Sequence, residues 1–433
     1  MHMKSRMMKS LAALGLVAGV LAVAAGGAGA DGGPFGGHGG KVLLVSNHHA
    51  KSVDHGGCGN APYPTINAAV TAANPGDTVV VCPGTYTEDV VINKALTLTG
   101  ENATIDAAGL DNGVQVVTSH VTVEGFTITK AIGEGILVGI DSMKDKEFGF
   151  VASQGFVLSN VAILDNNVVN DNQGFSGPGG STSTCAYPGD CGGGIHFNVV
   201  SHSTMSGNRV SGNADGVLLT DDYGPNFDNV IANNWVAYNA NECGITFPSH
   251  NPNAVNVNST TNQVTGRNPT MGGVYDNKVL NNVSVDNGTV VATEGPGVTT
   301  GSGAGVGIFG SGPGTGAYDN LIQGNYLAGN GLAGVTIHAH GPGGEDVNGN
   351  QILDNVIGTN NTGGDPEDGP HFPQDPLTTG ISIFSAVATV QITIAGNHIS
   401  SNNVGIWYTS STVTPTALPT NSFFKVTTPI QAA

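Results

Sequence analysis

The chain has little charge, and very little of it is positive. Charged residues make up 10% of its 433 positions, with 13 Lys or Arg against 32 Asp or Glu and a net charge of −19. Such a surface does not hold nucleic acid or anionic lipid by charge, because both need clustered cations. It would also repel a polyuronate unless a divalent cation bridged the two. Long apolar runs are missing too. The stretch Leu11 to Ala24 spans about 14 residues, short of the roughly 20 that a membrane-crossing helix needs. None of the five cysteines forms a CxxC pair, which argues against a thiolate zinc site.

The apolar stretch follows Lys4, Arg6 and Lys9 and leads to Ala28-Gly29-Ala30, the small-x-small pattern that a signal peptidase cuts. Residues 1–30 are therefore expected to be a secretory signal, and the mature chain to be extracellular or associated with the cell envelope. Cleavage removes three cations and no acid, taking the net charge to −22. Residues 31–40 read as a flexible Gly-rich leader. In an oxidising compartment, five cysteines suggest two disulfides and one thiol left over. Cys58 and Cys82 flank a capping segment, Cys185 and Cys191 bracket one loop, and Cys243 is the odd one, expected to be buried.

Glycine is plentiful, with 67 residues, which suits short strands and tight turns. Ile66, Ala69, Val70 and Ala73 have helical spacing, and Asn74-Pro75-Gly76-Asp77 ends that segment. The β-branched runs Thr78 to Cys82, Val90 to Ile92 and Leu96 to Thr99 then read as strands. Beyond residue 160 the motif Asn-x-[Val/Ile/Leu]-x-x-Asn recurs. It starts at Asn167, Asn208, Asn234, Asn325, Asn355 and Asn397, and at Asn282 with Ser284 in the apolar slot. Gly followed by Ile or Val comes after most copies, at Gly194, Gly216, Gly244, Gly305, Gly334, Gly380 and Gly405. Spacings of 26 to 48 residues signal a solenoid, in which each unit must stack on its neighbours to bury its apolar face. Like residues then lie about 4.8 Å apart, and asparagines at turns form amide ladders. The solenoid is expected over 41–410, with 411–433 as an edge strand or tail.

The segments Tyr63 to Val70, Pro75 to Thr78, Pro83 to Glu88 and Leu96 to Gly100 resemble the N-terminal cap and first coils of the pectin-lyase-like superfamily. The Asn and Gly-Ile repeats resemble its parallel β-helix repeat, and together they cover nearly all of 41–410. The resemblance implies an all-β fold, a right-handed parallel β-helix with one short N-terminal capping helix. It leaves activity open, because the superfamily contains lyases, hydrolases, esterases, epimerases, adhesins and accessory proteins.

Strand alternation puts His196, Asn198, Leu218, Thr220, Asp222, Thr246, His250, Thr336, His338, His340 and Trp407 on the outward face. Long loops, Gln173 to Gly193 and Pro248 to Gly273 among them, are expected to wall that face into a groove. The candidate catalytic residues are Asp222, His250, His338, His340 and Arg267. The candidate substrate contacts are His196, Asn198, Thr220 and Trp407. Asp221, Asp222, Asp365 and Asp368 are oxygen ligands of the kind that hold Ca²⁺, or else a solvated acidic surface; a separated carboxylate pair also suits glycoside hydrolysis.

Polyuronate lyases of the superfamily use Arg or Lys as base, whereas after residue 150 this chain has only Arg209, Arg267, Lys278 and Lys425. The Gly-x-Tyr-x-Glu element of pectin methylesterases occurs at Gly84 to Glu88, but their Asp-Phe-Ile-Phe-Gly and Gly-Arg-Pro-Trp elements do not. The polygalacturonase elements Asn-Thr-Asp and Arg-Ile-Lys are also missing. His48-His49 and Asp54-His55 allow a resemblance to copper-delivering periplasmic β-helix proteins. The expected function is that of a secreted protein binding or cleaving an extracellular polysaccharide or cell-surface glycan, as a lyase or glycoside hydrolase if it is an enzyme. The alternatives are a non-catalytic matrix or adhesin-like protein and a periplasmic metal-related accessory protein.

Overall fold

The computed structural model describes residues 40–47, 58–140, 156–172, 193–240, 243–289, 292–293, 299–300, 303–339, 341, 343–362 and 378–433. The expected signal, nearly all of the leader, Cys185, Cys191, His340, Asp365 and Asp368 lie outside these residues, as do His48, His49, Asp54 and His55. Among the described residues, no helix is long and apolar enough to cross a membrane.

The capping helix is Ile66–Ala72. Thr65 accepts the Ala68 N–H, and both oxygens of Glu88 take the N–H groups of Ile66 and Asn67 at 2.8 and 2.9 Å. At the other end, the Lys94 ammonium donates to the carbonyls of Val70, Thr71 and Ala73. Opposite charges thus sit at the ends the helix dipole favours. Glu88 of the Gly-x-Tyr-x-Glu element is a structural cap here. Cys58 and Cys82 form a disulfide beside this cap.

From there the chain winds into parallel coils that form three sheets of 21, 11 and 5 strands, and the result is a right-handed parallel β-helix. The inward residues of the eleven-strand sheet stack in a column, Ile195 on Val217, Ile245, Val306, Val335, Ile381 and Ile406. All seven are buried, and each contributes about 1.5–3 kcal/mol. The glycine before each is required by close approach. A Cβ on Gly194 would lie 2.2 Å from the Gly216 carbonyl oxygen, and one on Gly216 2.1 Å from that of Gly244. The pattern also runs further back than the sequence reading took it, through Gly113-Val114 and Gly135-Ile136.

Asparagine ladders hold the corners. One runs Asn166, Asn208, Asn234, Asn282, Asn325, Asn355, Asn397 and Asn421; each Oδ1 accepts the backbone N–H and the amide of the asparagine one coil earlier. A second runs from Asn213 to Asn402, and a third through Asn229, Asn277, Asn320 and Asn350. The third ladder was missed in sequence, although its members stand five residues before those of the first. The copy placed at Asn167 was one residue out of phase, because Asn166 and Asn167 are adjacent and the second ladder begins at an aspartate, Asp171. The run after residue 410 forms a last coil, Val413–Thr416, Ser422–Phe424 and Thr428–Ala432, paired on the one before. Pro415 and Pro429 remove donors from its open edge.

Asp171 occupies an amide's place with a carboxyl. Its Oδ1 accepts the Ala131 N–H, but Oδ2, where the later rungs have an NH2 group, has no partner. Burial pushes this carboxyl well above the usual carboxylate range, against the pull of the Ala131 N–H. The folded state therefore holds the proton more tightly than the unfolded one. That contribution is full below the ordinary carboxylate pKa and fades as pH rises toward the raised folded value. Asp171→Asn is expected to raise stability by about 1–3 kcal/mol at pH 7 and to change it little at pH 4. Urea unfolding at the two pH values checks this, and an equal effect at both would rule out the protonated rung.

Candidate functional site

Outward side chains from four consecutive coils of the eleven-strand sheet form one polar line. Glu134 Oε1 lies 3.2 Å from His196 Nδ1, and His196 Nε2 lies 2.8 Å from Thr220 Oγ1. Thr220 donates to Asp222 Oδ2 at 3.5 Å, Asn198 Nδ2 donates to the same oxygen at 2.8 Å, and Asp222 Oδ1 is 2.9 Å from His250 Nδ1. Parallel register builds this line. Ile195–Asn198 lies on Val217–Thr220, pairing His196 with Leu218 and Asn198 with Thr220.

Alternation identified the outward side correctly, but that side is not open to solvent as expected. His196, Asn198, Leu218, Thr220, Thr246, Thr336, His338 and Trp407 are all buried. The period of a strand tells which side of the sheet a residue leaves, not what covers it. Asp222 and His250 remain partly exposed, with 17% and 15% of their side-chain surface accessible. Burial would raise the Asp222 carboxyl, but the hydrogen bond and charge of His250, the His196 charge and the Asn198 amide outweigh it and hold the group below the usual carboxylate range.

Asp221 and Asp222 turn to different partner atoms. Asp221 Oδ1 accepts the His250 and Asn251 N–H groups at 2.7 and 3.2 Å, and Oδ2 accepts the Ser249 hydroxyl and the Gly273 N–H at 2.9 and 2.6 Å. Burial pushes this carboxyl up to about 6. Its role is to anchor the start and end of the 248–273 loop, which corrects its assignment as a Ca²⁺ ligand. Adjacent aspartates thus hold His250 twice, one by its backbone and the other by its ring.

Arg267 is corrected as well. Its Nε donates to Asp346 at 2.7 Å, a terminal N–H donates to Asp319, and the guanidinium lies 3.9 Å from the Tyr318 ring centroid. Committed to two carboxylates, it clamps the hairpin Val255–Val257 and Val264–Arg267 onto the stacked rings of Phe227, Tyr275 and Tyr318, and it is not placed to act as a base. His338 lies three rungs from the Asp222 strand, about 14 Å away, beside Thr336 and edge-on to Phe309. Trp407 packs with Phe384 and Val404 at the far end of the sheet. The structure therefore brings together His196, Asn198, Thr220, Asp222 and His250, and it separates His338, Trp407 and Arg267 from them. Sequence reading missed Glu134, though its place just before Gly135-Ile136 marks it as part of the repeat. It also missed Val199, the one β-branched residue among the described residues with φ in the left-handed region, at 59°. Such strain costs energy and gathers at functional sites.

Fold and site define a parallel β-helix protein with a covered polar network on one sheet. Residues 176–369, less than half of the chain, match the family described as NosD, periplasmic copper-binding protein. No curated protein matches the chain. Among solved structures, it is similar to the A-module of the Azotobacter vinelandii mannuronan C-5 epimerase AlgE4, with 16% identity, 85% of this chain and 94% of that one covered, and a TM-score of 0.48. It is also similar to pectate lyase Pel9A, with 14% identity, 86% and 78% covered, and a TM-score of 0.49. An alginate lyase from Paenibacillus sp. shares 13% identity over 85% and 95%, with a TM-score of 0.41. Among the described residues, no three His, Cys, Asp or Glu converge as a metal set.

Removing the Asp221 carboxylate leaves three N–H groups and a hydroxyl without an acceptor. Asp221→Ala is expected to cost about 3 kcal/mol or more and to speed amide hydrogen exchange across 250–273. Unchanged exchange there would show that the loop is held by something else.

Proposed function

We propose that the protein is exported and acts on an extended neutral polysaccharide, with Asp222 and His250 as its proton-transfer pair. The observation that carries this reading is the Asp222–His250 contact at 2.9 Å, the accessible end of an otherwise buried polar line. An ionised Asp222 fixes the ring with Nδ1 protonated, which makes Nε2 the basic nitrogen. The Asp221 anchor and the Arg267 clamp keep the ring in place, as a proton-transferring group requires. A neutral glycan suits the chain better than a polyuronate. Arg267 is committed to Asp346 and Asp319, and among the described residues no other Lys or Arg makes a hydrogen bond or ion pair with the network. The Cys58–Cys82 disulfide and the signal-like N-terminus support an oxidising compartment.

On a panel of neutral glycans, Asp222→Asn and His250→Gln are each expected to lower turnover by about a hundredfold or more. Both side chains are partly exposed, so the melting temperature should move little. Turnover within about twofold of the parent in either variant would remove the pair from the chemistry. Binding without turnover would instead make the protein a glycan-binding surface protein.

A further inference from the structure

Next to this pair lies a small cleft. Ile140, Phe156, Leu158 and Val199 give it apolar walls, with Tyr223 and Asn198 completing them, and its volume is about 290 Å³ including the part open to solvent. Apolar walls with one polar side chain among them suit a small substituent that carries both an apolar and a polar part. Asn198 is 3% exposed. Its NH2 group donates to Asp222 Oδ2 at 2.8 Å and to the Ile140 carbonyl at 3.1 Å. Both partners are acceptors, so the amide cannot be turned around, and its Oδ1 is left buried with no hydrogen-bond partner. Buried acceptors are nearly always satisfied. None of the described residues donates to it, which leaves room for a donor on a bound group. The backbone supports the same place: Val199 follows Asn198 with its strained φ, and a Cβ on Gly139 would lie 2.4 Å from the Asn198 carbonyl oxygen.

We infer that this cleft is the subsite for an acetamido group, and that the glycan is one built from N-acetylated amino sugars. The inference rests on the reading of Asp222 and His250 as a glycan site. An acetamido group carries both features that the cleft asks for, a methyl for the apolar walls and an N–H for Asn198 Oδ1. A hydroxyl offers the donor without the methyl, while an O-acetyl or methyl ester offers the methyl without the donor. The Asn198 amide joins the cleft to Asp222 directly, so the substituent would sit beside the proton-transfer pair.

The test is calorimetric binding of the full chain to chitohexaose and to cellohexaose, which differ in the acetamido or hydroxyl group on each ring. Chitohexaose is expected to bind at least about tenfold more tightly. Asn198→Leu should bring the two affinities to within about twofold. So should Phe156→Ala, a change at the exposed lip that leaves the polar line intact. Equal binding of the two sugars by the parent protein, or a preference that survives both substitutions, overturns the acetamido subsite and leaves the glycan reading standing. Failure to bind either sugar at millimolar concentration overturns both.

Discussion

A buried asparagine amide has two N–H donors and an oxygen to satisfy without water, and in a parallel stack the like residue one coil away supplies a partner at the right distance. Three such ladders tie the coils of this protein together, and each of their bonds contributes about 0.5–1.5 kcal/mol net. More important than the sum is the phase they impose. A coil that slipped by one residue would take its asparagine out of the amide column and turn its core residues to the other face of the sheet. The same register stacks the isoleucines and valines of the core, and it brings the glycines so close to the next coil's carbonyl oxygens that no side chain fits there.

Register also builds the site. His196 and Asn198 meet Thr220 and Asp222 because two coils are laid in phase, and Glu134 arrives from the coil before. His250 comes from an excursion of the chain and needs separate fixing. The Asp221 carboxylate gathers both ends of that loop, and the Arg267 clamp on Tyr318 fastens its hairpin. Charges that looked available for chemistry are thus used in holding geometry. A buried carboxylate that accepts several N–H groups makes a better anchor than a ligand.

The acidic composition and the geometry point the same way. Arg267 is already paired with two carboxylates and so is poorly placed to hold a third, whereas the proposed neutral sugars need hydrogen bonds and apolar faces. The cleft beside Asn198 offers both, and the strain at Val199 falls where a site that binds a ligand would store it.

Much of the fold was legible in the sequence, because a solenoid writes its period into the chain. The Asn motif, the Gly-Ile pairs and the helix at Ile66 each followed from local chemistry. Phase failed where the pattern itself was ambiguous, at Asn166-Asn167 and at Asp171, which takes an asparagine's place. Part of the site was legible as well, since alternation put His196, Asn198, Thr220 and Asp222 on one side of one sheet. The period of a strand, however, carries no information about what covers that side or how loops return to it. Only the tertiary structure decided that the face is buried, that Asp221 and Arg267 hold a loop, and that Glu134 and His250 complete the line. These contacts join residues 28 to 79 positions apart, and no local periodicity links residues across such distances.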